Sequence, residues 1–374
     1  MADELKKELI EITGKLISFD TQNPPGNESR CSKYIISLLK KAGLNTKVLY
    51  KNKKRINVIG EVGGGKRSLV IASHMDTVPA GSGWKTNPLK AAVKKGKIYG
   101  RGAIDDKGPF AISYLAVTKF LADFPDFKGK IFLVALADEE ANNEYGIKYL
   151  LSNGFKAVAG LIPDGGYFSK FDIGEKGCVQ IKIESFGKQA HSALDTHGEN
   201  ALGNLVEVVE KIKKIDWPNK YNKLFTPTKV NFSMFHSGEM ANVVPPYAYV
   251  QMDIRFPLGI TSDLITAAIK KVISSCNGKF KVNIIYKTEP HLVQDKKLIE
   301  IFIKASKKAG YQVRPITLAG NSVAKEFNEA GIPSIVHYPM ERITAHEPNE
   351  FLDIKQALKT VNLYYFFLKE YFNP

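Results

Sequence analysis

The segment LVIASHMD, residues 69–76, passes from five consecutive apolar or small residues directly into His74, followed by Met75 and Asp76. A run without a polar face predicts a β-strand that is buried on both sides, as in the centre of a sheet covered by helices. The segment KIFLVALADEE, residues 130–140, repeats this arrangement and ends in three acids. Because functional groups in such sheets gather at the carboxyl ends of the strands, both segments indicate a site at one edge.

Helices and strands alternate around these two segments. Apolar residues at helical spacing predict helices at 3–17, 27–42, 108–123 and 145–153, and short apolar runs predict strands at 45–50, 57–62 and 158–162. A long loop is expected at 77–97. This alternation predicts an α/β domain with a mixed central sheet.

The pattern changes near residue 175. VQIKIESF, residues 179–186, alternates with a period of two, which predicts a strand with one solvated face. A helix (199–215), strands (228–236 and 247–256), a helix (262–276) and a strand (279–286) follow, an order typical of an α+β ferredoxin-like sheet. After residue 288, helices at 295–309, 322–330 and 352–369 and strands at 313–317 and 333–338 restore the first pattern. We therefore expect a discontinuous catalytic domain, 1–175 and 288–374, with an inserted domain at 176–287.

The composition is that of an ordinary globular protein. The chain has 374 residues, of which 44% are hydrophobic and 24% charged, and no apolar run approaches the roughly 18 residues that span a bilayer. The N-terminus lacks the features of a signal peptide. Its three cysteines, Cys31, Cys178 and Cys276, are far apart, which argues against a disulfide framework and favours three small buried residues. We expect a cytoplasmic protein without a membrane partner.

The formal net charge of +15 would suit a protein that binds nucleic acid. Only seven of the 53 basic residues are arginines, however, and the lysines are spread along the chain. Arginine forks dominate base and phosphate recognition, so we do not expect a nucleic-acid partner. The charge instead predicts a modest attraction for anionic small-molecule substrates.

Five residues of the types that bind metal ions follow strands or lie in loops. They are His74, Asp105 in GRGAIDDKG (100–108), Glu140, Asp164 after VAGLI (158–162), and His346 in TAHEPNE. Singly, each has an ordinary explanation, such as a helix cap for Asp105 or a turn for Asp164. As a set at one sheet edge, imidazoles and carboxylates without thiolates are typical of catalytic zinc, cobalt or manganese.

With this set of residues, the chain resembles a family of dinuclear zinc hydrolases. The family includes acetylornithine deacetylase, succinyl-diaminopimelate desuccinylase, glutamate carboxypeptidase and related dipeptidases. The matching segments are SHMDTVPAG (73–81), GRGAIDDKG (100–108), ADEE (137–140), the Asp164 position, GKQAHSALDTHGENA (187–201), NVVPPYAYVQMDIRFP (242–257) and AHEPNEF (345–351), in the family's order and spacing. The resemblance implies a zinc-exopeptidase-like catalytic domain, a lid and dimerisation domain, and a homodimer formed through that lid.

The resemblance also implies a ligand set for two divalent ions, zinc in the first place and cobalt or manganese as alternatives. Asp105 would bridge the two ions, His74 and Asp164 would complete one site, and Glu140 and His346 would complete the other.

Two further acids would act without binding the ions. Glu139 would be the general base, which takes a proton from the attacking water and returns it to the leaving amine. Asp76 would orient His74. The family also suggests a cis peptide bond between Asp105 and Asp106.

The inserted domain would contribute contacts to the substrate. His191, which local sequence alone would class as a surface histidine, would donate to the oxyanion, either in its own subunit or across a dimer. Asn242 and Arg255 would contact the oxyanion or a substrate carboxylate, although Arg255 could equally form an ion pair at a strand end. His197, His236, His291 and His337 are expected to be structural or exposed. Lys107 is expected to be a loop charge or a cation that holds the acidic cluster together.

Some positions depart from the family pattern. Asp164 stands where many deacylases have Glu, which favours a dipeptidase or aminopeptidase, whereas a single lid of this size suits deacylases and carboxypeptidases. In GNSVAKEF (320–327), Val323 and Lys325 replace an Asp and an Arg, and Lys325 becomes a candidate substrate contact. His337-Tyr338-Pro339 replaces a Gly-Pro-Gly loop.

The predicted function is therefore the metal-dependent hydrolysis of an amide bond in a small-molecule N-acyl amino acid or a short peptide. A deacylase of the desuccinylase or acetylornithine deacetylase type, or a carboxypeptidase, is the first interpretation, and a dipeptidase or aminopeptidase is the alternative. From another class, the same scaffold could be a catalytically silent, metal-free binding protein.

Overall fold

The computed structural model describes residues 2–141, 143–164, 167–217, 224–318, 320, 322–341 and 344–373. The chain separates into two compact units. We call Met1–Ile173, Val293–Ile316 and Asn321–Pro374 the large unit, and Gly174–Leu292 with Thr317–Gly320 the small unit.

The helices and strands are numbered along the chain. Up to residue 175 they are α1 (Ala2–Ile17), α2 (Ser29–Lys41), β1 (Asn45–Asn52), β2 (Arg55–Gly64), β3 (Ser68–His74), β4 (Ala92–Lys94), β5 (Lys97–Tyr99), α3 (Lys107–Asp123), β6 (Gly129–Leu136), α4 (Ile147–Ser152), β7 (Ala159–Ile162) and β8 (Lys170–Glu175). The next segment contains β9 (Gly177–Phe186), β10 (Ala190–His191), α5 (Ala201–Lys213), β11 (Lys229–Ser237), β12 (Val243–Val244), β13 (Tyr247–Phe256), α6 (Ser262–Ser274), β14 (Lys279–Thr288) and β15 (His291–Leu292). The last contains α7 (Lys296–Lys308), β16 (Arg314–Leu318), α8 (Ala324–Glu329), β17 (Ser334–His337), β18 (Phe351–Asp353) and α9 (Ile354–Phe372).

The large unit is built on a sheet with the strand order β1-β2-β6-β3-β7-β17-β8. The four inner strands β6, β3, β7 and β17 are parallel, and the outer strands are antiparallel to their neighbours. β3 is buried from Ser68 to His74, as its unbroken apolar run predicts. The predicted α/β class with a mixed central sheet is confirmed. The carboxyl ends of the four parallel strands therefore meet at one edge.

Helix α3 carries the segment with Asp105 to this sheet edge. Every residue from Lys107 to Val117 is buried, because the helix packs against β3 and against α1 and α9. Asp106 is the residue immediately before the helix, and the peptide bond between Asp105 and Asp106 is cis, as the resemblance suggests.

The small unit has an antiparallel sheet with the order β11-β13-β9-β14. In β13, buried and partly buried residues alternate along the whole strand, so one face is covered. Helices α5 and α6 supply Leu205, Val208, Ile265 and Ile269 to the core on that face. Each helix begins with a side-chain cap, Asn200 for α5 and Thr261 for α6. The β-α-β-β-α-β order expected from the sequence is present.

Some details differ from the sequence prediction. The expected loop at 77–97 contains β4 and runs into β5, and both are three-residue strands, too short for a period to be visible. Cys31 and Cys178 are buried, but Cys276 is only partly buried. Within the described part of the chain, the helices lack the length and apolar character needed to cross a membrane.

Candidate active site

The sheet edge and the start of α3 bring the predicted ligands close together in the large unit. They form two groups, His74–Asp105–Asp164 and Asp105–Glu140–His346, and within each group the candidate ligand atoms lie within 4.8 Å of one another. His74 Nε2 is 3.0 Å from Asp105 Oδ1, and His346 Nε2 is 3.1 Å from Asp105 Oδ2. His346 Nε2 also lies 3.2 Å from Glu140 Oε2. Asp105 therefore presents one oxygen to each group.

The chemistry of these groups fits divalent cations. The side chains of Asp105 and Glu140 are only 10% and 7% exposed, and a buried carboxylate is costly unless a cation or hydrogen-bond donors compensate its charge. Glu140 Oε1 is buried and has no hydrogen-bond partner among the described residues. Imidazole nitrogens and carboxylate oxygens without thiolate are the donors of catalytic zinc sites and related metals.

Asp76 connects the segment after β3 with the segment after β6. His74 Nδ1 lies 3.0 Å from the main-chain oxygen of Asp76 and 3.5 Å from its Oδ1, so that Nε2 is the ring nitrogen facing Asp105. The amide of Glu139 donates to Asp76 Oδ1 (3.0 Å) and the amide of Glu140 donates to Oδ2 (3.1 Å). One fully buried carboxylate thus contacts the histidine segment and the two acids at once.

Glu139 is partly buried beside these groups, directly after Asp138. Burial raises the pKa of its carboxyl well above the usual range; the His74 ring opposes this shift, and the negative charge of Asp164 adds to it. Burial likewise raises the pKa of Asp164 to about 7, together with the charge of Asp105. Carboxyl groups with pKa values shifted by burial and by neighbouring charge are typical of functional sites.

A buried arginine that sequence reasoning missed supports this region. Arg55 is 5% exposed, and its Nε donates to Glu28 while its Nη2 donates to Asp138 Oδ1 at 2.9 Å. Asn23 Nδ2 donates to both Asp138 Oδ1 (3.2 Å) and Asp76 Oδ2 (2.9 Å), which completes the network. No local signal marks Arg55, which stands at the end of the basic run KNKKR.

Lys107 is not the loop charge that was one of its two expected roles. It is the first residue of α3, is 2% exposed, and its Nζ donates to the main-chain oxygen of Phe19 at 2.8 Å. Burial lowers the pKa of its ammonium group.

Two of the candidate substrate contacts lie side by side in the small unit. His191 pairs with Val243 in the short β10–β12 ladder, and the amide of Ser192 donates to the main-chain oxygen of Asn242 at 3.0 Å. Both His191 and Asn242 are exposed. The amide of Ala193 donates to His191 Nδ1 at 3.1 Å, so the ring's proton resides on Nε2, which is left as a donor.

Arg255 forms the strand-end ion pair that was the alternative to substrate binding. Its Nε is 2.8 Å from Asp253 Oδ1 and its Nη2 is 3.2 Å from Oδ2, a bidentate contact. Arg255 Nη1 is buried and has no hydrogen-bond partner among the described residues. Lys325 lies in α8 of the large unit and is 2% exposed.

Comparison with known proteins identifies what this chain is similar to. The model of Peptidase family M20/M25/M40 matches residues 70–370. A succinyl-diaminopimelate desuccinylase of Wolbachia pipientis is 26% identical over 381 residues, covering 99% of this chain and 95% of the relative.

Solved structures share the fold over the whole chain. A tripeptidase of Staphylococcus aureus has a TM-score of 0.81 at 22% identity and covers 99% of both chains. A dinuclear metal-binding peptidase of the M20 family from Bacillus subtilis has a TM-score of 0.73 at 14% identity and covers 98% of both chains.

Proposed function

The chain belongs to the peptidase family M20/M25/M40, and on that premise we propose that its substrate is an N-acyl amino acid with a negatively charged acyl group. The resemblance seen in the sequence motifs is confirmed by this membership. As a member, the protein is a metal-dependent hydrolase that cleaves amide bonds of N-acyl amino acids or peptides.

The observation that carries the metal-dependent chemistry is the pair of candidate ligand groups that share Asp105. His74, Asp105 and Asp164 would hold one divalent ion, and Asp105, Glu140 and His346 would hold a second. Zinc is the first choice and cobalt or manganese are alternatives, because the donors are nitrogen and oxygen without sulfur. When bound, the ions supply Lewis-acid polarisation of the substrate carbonyl and favour hydroxide at neutral pH.

A side chain of the protein transfers the proton of the attacking water. Glu139 takes a proton from the attacking water and returns that proton to the nitrogen of the leaving amine. Asp76 holds the Glu139 and Glu140 amides and faces His74 Nδ1, so it keeps the base, a ligand and the imidazole in a fixed relation.

The small unit is proposed to act as a lid and a dimerisation domain, and the enzyme to be a cytoplasmic homodimer. His191 is the proposed oxyanion donor, in its own subunit or across the dimer, and the Nε2–H that follows from its Nδ1 contact supports that role. Asn242 and Arg255 are the proposed contacts to the oxyanion or to a substrate carboxylate. Lys325 is proposed as a substrate contact from the resemblance alone. Its side chain is buried, so the geometry adds no support.

An acidic N-acyl group is favoured over a neutral one by two observations. The net charge of +15 attracts anions, and succinyl-diaminopimelate desuccinylases are among the relatives that match nearly the full chain. A short-chain peptidase is the second candidate, favoured by Asp164 in place of Glu and by the structural likeness to a tripeptidase.

The test combines metal analysis with a substrate panel. We expect two divalent ions per chain by elemental analysis, and faster hydrolysis of N-succinyl than of N-acetyl amino acids, dipeptides or tripeptides. Chelation should abolish the activity, and zinc, cobalt or manganese should restore it. Faster cleavage of neutral tripeptides would replace the deacylase with the peptidase. A protein that binds no ions and hydrolyses none of the panel would support the silent binding protein instead.

A further inference from the structure

A second buried arginine, Arg101, pairs with Glu350 near the ligand groups. Arg101 Nη1 lies 2.6 Å from Glu350 Oε2, and the two residues are 2% and 0% exposed. They come from segments 249 positions apart in the chain, and neither belongs to the proposed ligands or to the proton-transfer machinery. Replacement of a buried ion pair by apolar residues is often neutral or stabilising, so its presence is weak evidence for a stability role alone.

Glu350 fixes the main chain that carries the shared ligand. Its Oε1 accepts hydrogen bonds from the amides of Ile104 (2.9 Å) and Asp105 (3.2 Å). The main-chain oxygen of Glu350 accepts a further bond from the amide of Gly100 at 3.1 Å. The orientation of Asp105 is therefore set from the segment that also contains His346.

Arg101 also donates hydrogen bonds to main-chain oxygens of two other segments. Its Nη2 donates to Pro79 and Ala80, both at 3.3 Å, and to His346 at 3.4 Å. Each of these hydrogen bonds is longer than the contact between Arg101 and Glu350. Together they orient the main-chain segments around Arg101, and none of them alone is strong. A planar fork can contact several acceptors at once, whereas a lysine ammonium on a flexible stem cannot reproduce that geometry.

We propose that Arg101 and Glu350 are a positioning pair for the second ligand group, Asp105–Glu140–His346, and that they set how tightly this group binds its ion. The inference rests on the proposed function, because it assumes that these groups bind metal. Arg101 contacts the main chain of His346, which belongs to the second group alone, and Glu350 contacts that of Asp105, which both groups share. Among the described residues, no hydrogen bond joins either of them to His74 or Asp164. The two ions should therefore respond unequally when the pair is changed.

The experiment measures metal affinity directly by titrating chelator-treated protein with Co²⁺, followed by absorption spectroscopy and calorimetry. In Arg101→Lys we expect one of the two dissociation constants to rise about 10–100-fold. This is the range for loss of a group that supports a metal ligand. The other should change by less than about threefold. Glu350→Gln, which keeps an acceptor for the two amides and loses the charge, should show a smaller change of the same kind.

The control for a purely structural effect is Phe302→Leu, a substitution in the core at a fully buried residue of α7. It should lower the melting temperature and leave both dissociation constants unchanged. Excess Co²⁺ should also restore the activity of Arg101→Lys to within a few-fold of the wild-type value.

Several outcomes overturn the inference. If Arg101→Lys loses thermal stability as Phe302→Leu does but binds both ions normally, the pair is structural. If the affinities for both ions fall equally, the pair acts through the shared Asp105 and is not selective for the second group. If the wild-type protein binds no divalent ion, the proposed function fails together with this inference; if it binds two and the variant does the same, only the inference fails.

Discussion

Two sets of candidate residues, His74, Asp76 and Asp105 in the large unit and His191 and Asn242 in the small unit, differ in how firmly they are held. In the large unit, His74 and Asp105 are buried, and Asp76 accepts hydrogen bonds from two amides and from Asn23. In the small unit, His191 and Asn242 are exposed on a ladder of two-residue strands. Groups that must keep one geometry through the reaction belong on rigid supports, whereas groups that contact variable parts of a substrate can lie on mobile ones. The proposed metal ligands and general base therefore lie on the more rigid support, and the proposed oxyanion donor lies on the more exposed one.

The largest effect on activity is expected from substitution of Glu139, the proposed general base. Glu139→Gln removes the proton acceptor but keeps the shape, so kcat should fall about 10²–10⁴-fold, the range for general base catalysis. Metal content by elemental analysis should remain two ions per chain. Glu144→Gln, at an exposed residue of the same connection, is the control and should keep wild-type activity. Full activity in Glu139→Gln would contradict the assigned role.

The next effect tests whether the small unit takes part in the transition state. His191→Gln should lower kcat about 10²–10³-fold, as loss of one oxyanion donor does, with both ions retained. His197→Gln, at an exposed histidine of the same segment, should behave like the wild-type protein. If His191→Gln keeps the wild-type kcat, the small unit contributes no donor and the two units do not share the reaction.

A smaller effect is expected at Arg255. Arg255→Lys keeps the charge but loses the bidentate contact with Asp253, so KM for an anionic substrate should rise about tenfold while kcat changes little. Lys279→Gln, at an exposed residue of β14, should leave KM unchanged. Unchanged KM in Arg255→Lys would leave only the ion pair as the role of this arginine.

The smallest effect concerns stability. His337 is fully buried, its Nδ1 lies 3.2 Å from Tyr364 Oη and its Nε2 lies 3.1 Å from the main-chain oxygen of Phe168, and burial lowers the pKa of its ring from 6.5 to about 4. Above pH 6.5 the ring is neutral in both the native and the unfolded chain. Between pH 6.5 and about 4 only the unfolded chain binds the proton, so the free energy of unfolding falls with falling pH, by about 3 kcal/mol at most.

Urea unfolding at a series of pH values, with a chelator present, checks this expectation. His337→Phe should be less stable at neutral pH because the main-chain oxygen of Phe168 loses the contact with the ring, although Tyr364 keeps its hydrogen bond to the main-chain oxygen of residue 337. Its stability should decline less between pH 6.5 and 4. His236→Gln, at an exposed histidine, should follow the wild-type curve. Equal slopes for His337→Phe and the wild-type protein would contradict a neutral buried ring.

Much of the fold could be predicted because its main elements leave strong local signals. β3 and β6 are unbroken apolar runs, and β13 alternates along its whole length. The four-residue strand β17 was expected from a similar run at 333–338. β4, β5 and β18 have three residues each and are held by pairing with one another, which no local pattern records.

In the candidate site, too, some features could be predicted from local sequence and others arise only on folding. The five candidate ligands could be named because a histidine or an acid after a buried strand is conspicuous, and their order matched a family. Arg55 could not be assigned a partner, because Glu28, Asp138 and Arg55 are brought together only by folding. Arg101 and Glu350 lay inside two of the quoted motifs, yet their 249-position separation hid the pair.

By itself, the sequence determined the α/β class, the inserted antiparallel sheet, the family and the residue types at the sheet edge, because periodicity and strand-end chemistry are local properties. The tertiary structure alone decided that Asp105 offers one oxygen to each ligand group and that Asp76 holds the amides of both glutamates. It also decided that two buried arginines secure the segments around them. These are relations between segments distant in the chain, and they arise only when parallel strands place their ends at one edge.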